Sequence, residues 1–149
     1  MQSKSSSLAP YIAVKDARAA IDFYCKAFGA EEIFALTNPS DGRIGHAELK
    51  FGDVTLMISD EFPDFGALSP DTIGGSPVKL YIRVDNVDEI FARALDLGGI
   101  ETRPVKDQFF GERSGALMDP FGHTWFLSMK IEDVSPQEMQ RRWTEAMEG

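Results

Sequence analysis

Cysteine and histidine are scarce in this chain of 149 residues. It contains one cysteine, Cys25, so no intrachain disulfide can form and a metal site built from several thiolates is excluded. It contains two histidines, so a centre built on imidazoles would have to use both or recruit carboxylates. Cys25 lies within a predicted helix, and no motif typical of a nucleophile surrounds it. We expect it to fill space in or beside the core.

The chain also lacks excess positive charge and long apolar runs. Its net charge is −9, which disfavours nucleic-acid binding because that requires clustered Lys and Arg. No apolar stretch approaches the roughly 18 residues that span a bilayer, and the opening MQSKSSS lacks the apolar core of a secretory signal. We therefore expect a cytoplasmic protein without nucleic-acid or membrane partners, and a flexible tail at residues 1–7.

Two stretches of the chain, 70 positions apart, resemble each other. Residues 11–29 read YIAVKDARAAIDFYCKAFG, and residues 81–99 read YIRVDNVDEIFARALDLGG. The same offset places Phe121-Gly122 on Phe51-Gly52. Each copy has the pattern of a strand that leads into a helix ending at glycine. A long repeat in two copies indicates two equivalent modules rather than a solenoid of short units.

Local patterns predict β-α-β-β-β for each module. Asp16 and Asn86 are expected to cap the module helices. Residues 61–77 hold three prolines and three glycines, which is typical of a linker or a lid. Ser135-Pro136 is a helix start, and the apolar stripe after it predicts a C-terminal helix that docks on its own chain or on a dimer partner. The predicted organisation is a tail at 1–7, a first module at 8–60, a linker or lid at 61–77, a second module at 78–131 and a C-terminal helix at 132–149.

Two motifs carry a family resemblance. Phe51-Gly52-Asp53 and the string GERSGALMDPFGHTWFLS at residues 111–128 resemble the vicinal oxygen chelate superfamily of glyoxalase I, bleomycin-resistance proteins and extradiol dioxygenases. A Gly-Glu-Arg loop followed by Asp-Pro-Phe-Gly-His-x-Trp is similar to the PhnB-like branch. The resemblance implies an α+β fold in which two tandem β-α-β-β-β modules form a curled, open mixed sheet around a cup, usually in a homodimer.

The resemblance also locates the positions where metal-dependent members hold their ion. They fall on Ala9, Leu56, Lys79 and Phe126, none of which is a usual metal ligand. We therefore expect no metal and no other cofactor. The alternative is a divalent metal ion held by His46 and Glu48, which share one face of a strand because they are two residues apart. A further possibility is that these two side chains only form the polar rim of the cup.

The candidate ligand site combines residues from the first strands, the last strand and one loop. With the cup facing as the resemblance implies, alternation along the strands directs a set of polar and aromatic side chains into it. Paired aromatics in the loop could close over a ligand, with an arginine to hold a carboxylate or phosphate. The alternative is that the basic groups pair with nearby acids, Arg113 with Glu112 among them. The candidate ligand-binding residues are Tyr11, Lys79, Tyr81, Arg83, Phe109, Phe110, Arg113 and Phe126.

Two further side chains are expected to be structural. The imidazole of His123 should hydrogen-bond the turn at Asp119 rather than bind a metal, and Trp125 should pack between its strand and a helix.

Three functional hypotheses follow. The first is a metal-free protein that binds a small molecule, either an antibiotic or a metabolite, as a dimer; bleomycin-resistance proteins are the precedent. The second is a metal-dependent glyoxalase-like lyase, isomerase or dioxygenase with relocated ligands. The third is a metal-free acid–base enzyme that uses Glu48, or Glu112 with Arg113. The sequence leaves open whether any reaction is catalysed.

Overall fold

A computed structural model describes residues 6–149 of the chain. The predicted tail falls mostly on residues 1–5, which lie outside the described part. The chain forms two compact units that meet in sequence between Gly75 and Ser76, called unit 1 and unit 2 below. Each unit contains one predicted β-α-β-β-β module, so the two-module architecture is confirmed.

Unit 1 is a four-stranded mixed sheet with one long helix. Its strand order is β1-β4-β3-β2, with β1 parallel to β4 and the other neighbours antiparallel. The segment that follows the sheet contains a 3₁₀ turn and a short helix, which the sequence analysis had treated as irregular. The elements are β1 (Tyr11–Val14), α1 (Ala17–Phe28), β2 (Glu31–Thr37), β3 (Ile44–Phe51), β4 (Val54–Asp60), the 3₁₀ turn (Pro63–Phe65) and α2 (Pro70–Ile73).

Unit 2 repeats this topology and adds the C-terminal helix. Its strand order is β5-β8-β7-β6, again with one parallel pair at the edge. Among the helices of residues 6–149, none is both long enough and apolar enough to cross a membrane. The elements are β5 (Lys79–Arg83), α3 (Val87–Asp96), β6 (Ile100–Asp107), β7 (Glu112–Met118), β8 (Thr124–Lys130) and α4 (Pro136–Glu148).

The helix starts are set by the capping residues that the sequence predicted. The Asp16 carboxylate accepts the backbone N–H of Ala19 at 3.1 Å, and the Asn86 side chain accepts the N–H of Glu89 at 3.2 Å. Such caps satisfy backbone donors that the first turn of a helix leaves unpaired. The end of α1 is fixed by Gly29, whose φ of 75° is a conformation that favours glycine.

In each unit the helix after the first strand, α1 or α3, covers one face of the sheet and leaves the other face uncovered. Apolar side chains between that helix and the sheet are buried, among them Ile21, Tyr24 and Leu49 in unit 1 and Phe91 and Leu127 in unit 2. The first strands show the contrast, because Ile12 is buried while neighbouring Tyr11 is 56% exposed. We call the uncovered side the open face. Its residues are the ones available to a ligand.

A buried carboxylate tightens each unit. In unit 1, Asp60 accepts the N–H of Ala17 at 2.8 Å and the N–H of Ile44 at 2.6 Å, so it joins the start of α1 to β3. In unit 2, Asp119 accepts the N–H of His123 at 3.0 Å and the indole N–H of Trp125 at 2.9 Å. Hydrogen bonds to an ionised acceptor are stronger than neutral ones. The role of these two aspartates is therefore to stabilise the fold rather than to take part in a reaction.

One position of the sequence analysis was wrong. Leu56 was expected to point into the cup as the counterpart of Phe126, but it is buried on the helix-covered face, with 2% exposure. The residue beside Tyr11 in the parallel register is Met57, as Phe126 is beside Tyr81. The offset of 70 therefore becomes 69 in the last strand. The two hairpins differ, since two residues join β3 to β4 and five join β7 to β8. A shift of one residue along a strand moves each of its side chains to the opposite face of the sheet.

Candidate functional site

The open face of unit 1 carries a chain of three hydrogen-bonded side chains. The hydroxyl of Tyr11 lies 2.8 Å from Nδ1 of His46, and Nε2 of His46 lies 3.0 Å from a carboxylate oxygen of Glu48. The register explains this: Tyr11 lies opposite Met57 on β4, and Met57 lies opposite Glu48 on β3. His46 and Glu48 share a face, as predicted from their spacing. Their connection to Tyr11 was not predicted.

Aromatic rings hold the imidazole of His46 in place. The Tyr11 ring meets it edge-on at 5.2 Å between centroids, and the Phe34 ring lies 5.8 Å away. Tyr11 also borders a cavity of about 550 Å³ in unit 1, whose other walls include Phe62, Phe65 and Leu68. A volume of this size suits a small organic ligand.

The open face of unit 2 carries a second cavity with different chemistry. It measures about 400 Å³ and is lined by aromatic rings and two cations, Lys79 and Arg103. Tyr81 and Phe126 lie nearly parallel, 6.5 Å apart and 17° between planes. The Arg103 guanidinium lies 5.7 Å from the centre of the Phe126 ring, which is within the range of cation–π attraction. The lining of this cavity therefore combines aromatic ring faces with positive charge.

The two cations of this cavity have no acidic partner within ion-pair distance in the described part of the chain. Within residues 6–149, neither Lys79 nor Arg103 forms an ion pair. By contrast, Arg83 on the same strand as Lys79 is paired with Glu112 at 2.5 Å. Glu112 also accepts the hydroxyl of Tyr81. The predicted cluster of Lys79, Tyr81, Arg83 and Phe126 thus shares the open face, but only Lys79 offers an unpaired charge.

Arg113 lies on the other face of β7. Its guanidinium donates to Asp88 of α3 at 2.9 Å and to Asp107 at 3.0 Å. The Arg113 hydrogen bonds lower the pKa of the Asp88 carboxyl below its usual range. The expected pairing of Arg113 with Glu112 is wrong, because adjacent residues of a strand point to opposite faces. The structure therefore keeps Arg113 apart from the other candidates.

The two adjacent phenylalanines of the β6–β7 loop have separate positions. Phe110 lines the unit 2 cavity. Phe109 packs against Trp143 of α4, with ring centroids 6.0 Å apart, and its carbonyl oxygen accepts a hydrogen bond from Arg142 at 2.7 Å. The C-terminal helix therefore contacts its own chain, which was one of the two expectations for it.

Cys25 and Trp125 have structural surroundings, as expected. Burial raises the pKa of the Cys25 thiol, which disfavours the reactive thiolate. His123 contacts the Asp119 turn through its backbone N–H, which donates to the Asp119 carboxylate at 3.0 Å, whereas the prediction concerned its imidazole. Trp125 is buried with 3% exposure.

A role for Arg103 was not predicted from the sequence. It lies on β6 where the pairing with β7 shifts register on both sides of it, and it is opposite Ala116. Such irregularities re-aim side chains, and here Arg103 joins Ala116, Phe126 and Tyr81 in one row across the sheet. Pro104 was the available signal, because proline within a strand marks a bulge or an edge.

The donor set does not fit a divalent metal. Catalytic sites of that kind use about three protein ligands, and residues 6–149 contain no group of three or more His, Cys, Asp or Glu arranged to hold an ion. His46 and Glu48 would supply only two of the three ligands, and both ring nitrogens of His46 already have hydrogen-bond partners. Lys79 occupies one of the four positions where metal-dependent members of the family hold their ion, and it brings a positive charge there.

Comparison with known families and proteins agrees with this architecture. Residues 7–127 match the Glyoxalase/Bleomycin resistance protein/Dioxygenase superfamily. An uncharacterized protein of Mycobacterium bovis is 37% identical over 146 residues, which cover 96% of this chain and 95% of that protein.

Solved structures show the same fold. TioX of Micromonospora sp. ML1 is 25% identical with a TM-score of 0.63, over 87% of this chain and 100% of that one. A Pseudomonas aeruginosa protein is 25% identical with a TM-score of 0.67, over 86% and 100%. A PhnB protein of Bacillus cereus, described as a putative 3-demethylubiquinone-9 3-methyltransferase, is 19% identical with a TM-score of 0.65, over 83% and 99%.

Proposed function

We propose that this chain, which belongs to the Glyoxalase/Bleomycin resistance protein/Dioxygenase superfamily, is a metal-independent binding protein for a planar aromatic anion. The observation that carries the proposal is the unit 2 cavity of about 400 Å³, with aromatic walls and two cations that have no acidic partner in the described part of the chain. Fold membership alone does not select a function.

The chemistry of the cavity supports this ligand class. Tyr81 and Phe126 offer ring faces for stacking, and Phe110 adds a third apolar wall. Lys79 and Arg103 attract a carboxylate or phenolate, and Arg103 can also bind it through two parallel N–H donors. A conjugated ring that carries one anionic group satisfies both features.

Metal independence is part of the proposal and rests on the donor set described above. Metal analysis of the purified protein tests it: we expect less than stoichiometric divalent metal. Stoichiometric metal that disappears when His46 and Glu48 are both replaced by Ala would overturn it in favour of a metal-dependent enzyme.

A homodimer in the cytoplasm completes the proposal. Exposed apolar side chains on β2 and α4, among them Leu36 at 59% and Trp143 at 51%, suit burial against a second copy. Light scattering during gel filtration should give twice the mass of 16.5 kDa. A monomer at micromolar concentration would contradict this part without affecting the ligand class.

The ligand class is tested with a matched pair of probes, 2-naphthoate and the neutral 2-naphthamide, titrated by calorimetry. We expect naphthoate to bind more tightly. Lys79→Ala and Arg103→Ala should each weaken naphthoate about fivefold, because an exposed charge pair contributes about 1 kcal/mol. The control Lys26→Ala removes a charge from the exposed face of α1 and should leave affinity unchanged.

The proposal fails if naphthamide binds as well as naphthoate, if neither binds at millimolar concentration, or if Lys26→Ala has the same effect as the cavity variants. A loss that affects both probes equally would point to misfolding, so each variant is also checked by its melting temperature.

A further inference from the structure

The hydrogen bonds that link Tyr11, His46 and Glu48 in unit 1 have a defined donor-to-acceptor direction. An ionised carboxylate can only accept hydrogen bonds, so Nε2 of His46, 3.0 Å from Glu48, carries a hydrogen. In a neutral imidazole the other nitrogen is then an acceptor. Nδ1 therefore takes the hydroxyl hydrogen of Tyr11 at 2.8 Å. We assign this tautomer from the hydrogen-bond partners.

This direction determines what Tyr11 presents to its surroundings. Its only hydroxyl hydrogen is committed to His46, so the phenol oxygen has only lone pairs left for a ligand. Tyr11 is 56% exposed and borders the unit 1 cavity of about 550 Å³. A ligand group that reaches this oxygen must donate a hydrogen bond, and an anionic oxygen is repelled.

The remaining walls of that cavity narrow the ligand class. None of its lining residues is charged, and Phe62, Phe65 and Leu68 supply apolar surface. Arg43 lies over the Phe62 ring at 4.2 Å, but it is paired with Asp41 at 2.9 Å. An uncharged, ring-bearing ligand is favoured there, since a buried charge would lack a partner.

The arrangement is not a by-product of the fold, because unit 2 lacks it. The row across the sheet that holds Tyr11, Met57 and Glu48 in unit 1 holds Tyr81, Phe126 and Ala116 in unit 2. The same topology therefore forms without the histidine and the glutamate.

We infer that Tyr11, oriented by His46 and Glu48, binds the hydroxyl of a neutral phenol or enol in the unit 1 cavity. Phenols and enols combine a strong O–H donor with the flat apolar body that the cavity accepts. Tyr11 contacts the ligand, and His46 and Glu48 are positioning residues. The site is separate in unit and in ligand chemistry from the anion site of unit 2, and it stands whether or not that proposal holds.

The tautomer is tested directly by nitrogen NMR of ¹⁵N-histidine-labelled protein at pH 8. The chain has two histidines, and His46→Gln identifies the His46 signals. We expect His46 to be protonated on Nε2 with Nδ1 as an acceptor, and Glu48→Leu to give a mixture of tautomers. Protonation on Nδ1 in the unaltered protein would overturn the inference.

Ligand selection is tested with 2-naphthol and 2-methoxynaphthalene, which differ by the hydroxyl hydrogen. We expect naphthol to bind about fivefold more tightly, since one neutral hydrogen bond contributes about 1 kcal/mol. Tyr11→Phe should abolish this preference, Glu48→Leu should reduce it, and the control Lys26→Ala, which removes an exposed charge of α1 outside both cavities, should retain it.

Equal binding of the two probes, or equal effects of Tyr11→Phe and Lys26→Ala, would overturn the inference. Because Tyr11 is exposed, its replacement is not expected to unfold the chain, and the melting temperature of each variant checks this. Failure here with a normal response of naphthoate to Arg103→Ala would leave the proposed function intact.

Discussion

Replacement of Asp119 should destabilise unit 2 by an amount that can be worked out from its contacts. The carboxylate is 2% exposed. One oxygen accepts the backbone N–H groups of Phe121 and His123 at 2.9 and 3.0 Å, and the other accepts the indole N–H of Trp125 at 2.9 Å. Three donors would therefore lose their acceptor in Asp119→Ala.

At roughly 1 kcal/mol per hydrogen bond, Asp119→Ala should lower the free energy of unfolding by about 3 kcal/mol. Asp119→Asn is a sharper variant, because its oxygen can keep the two backbone donors while its amide nitrogen faces the indole N–H. One bond is then lost and two donors are opposed, so we expect a smaller loss of about 1.5 kcal/mol.

The assay is urea unfolding followed by tryptophan emission. Both tryptophans, Trp125 and Trp143, lie in unit 2, so the signal reports that unit. Exposed Asp96 of α3 supplies the control, and Asp96→Asn should change stability by less than about 0.5 kcal/mol. Adding Trp125→Phe to Asp119→Asn should cost less than the sum of the two single changes, because they share one bond.

The reasoning is refuted if Asp119→Asn is as damaging as Asp119→Ala, or if both lie within the range of the control. The first result would mean that the indole bond dominates; the second would mean that water replaces all three bonds.

Two further predictions concern unit 2. Hydrogen bonds from Arg141 and Arg142 lower the pKa of Glu138 to about 2 from an ordinary value of 4.5. A carboxyl whose pKa is lowered by folding stabilises the folded state at pH values above its ordinary pKa. This contribution to stability should therefore disappear as the pH falls from about 4.5 to 2. The fluorescence emission of Trp143 in α4 should follow this loss of stability. A Glu138→Gln variant with the same dependence on acid pH would contradict the assignment. Gly111→Ala should lower the melting temperature more than Gly52→Ala: both have positive φ, but only at Gly111 would a Cβ lie 2.4 Å from a main-chain carbonyl oxygen. Equal shifts would show that dihedral strain alone decides.

The fold was predictable because its signals are local. Asp16, Asn86 and Ser135 each start a helix by accepting a nearby backbone N–H, so a few adjacent residues determine each boundary. The similarity between residues 11–29 and 81–99 then gave the two modules. Alternation along β5 likewise indicated that Lys79 and Tyr81 share a face, and the unit 2 cavity confirms that they do.

The candidate sites were less predictable because their partners are distant in sequence. Tyr11 and His46 are 35 residues apart and meet only through the pairing of β1 with β4 and β4 with β3. The choice of Asp88 over Glu112 as the partner of Arg113 depends on which side of β7 faces α3. The position of Arg103 depends on irregular pairing of β6.

The sequence by itself thus determined the three long helices α1, α3 and α4, the strands and the two-module plan, since caps, turns and alternation act over a few residues. Tertiary structure alone decided which side chains meet on each open face. The offset between equivalent residues of the two units falls from 70 to 69 in the last strand, which places Met57 instead of Leu56 on the open face. A shift of one residue has this effect because neighbouring side chains of a strand point in opposite directions.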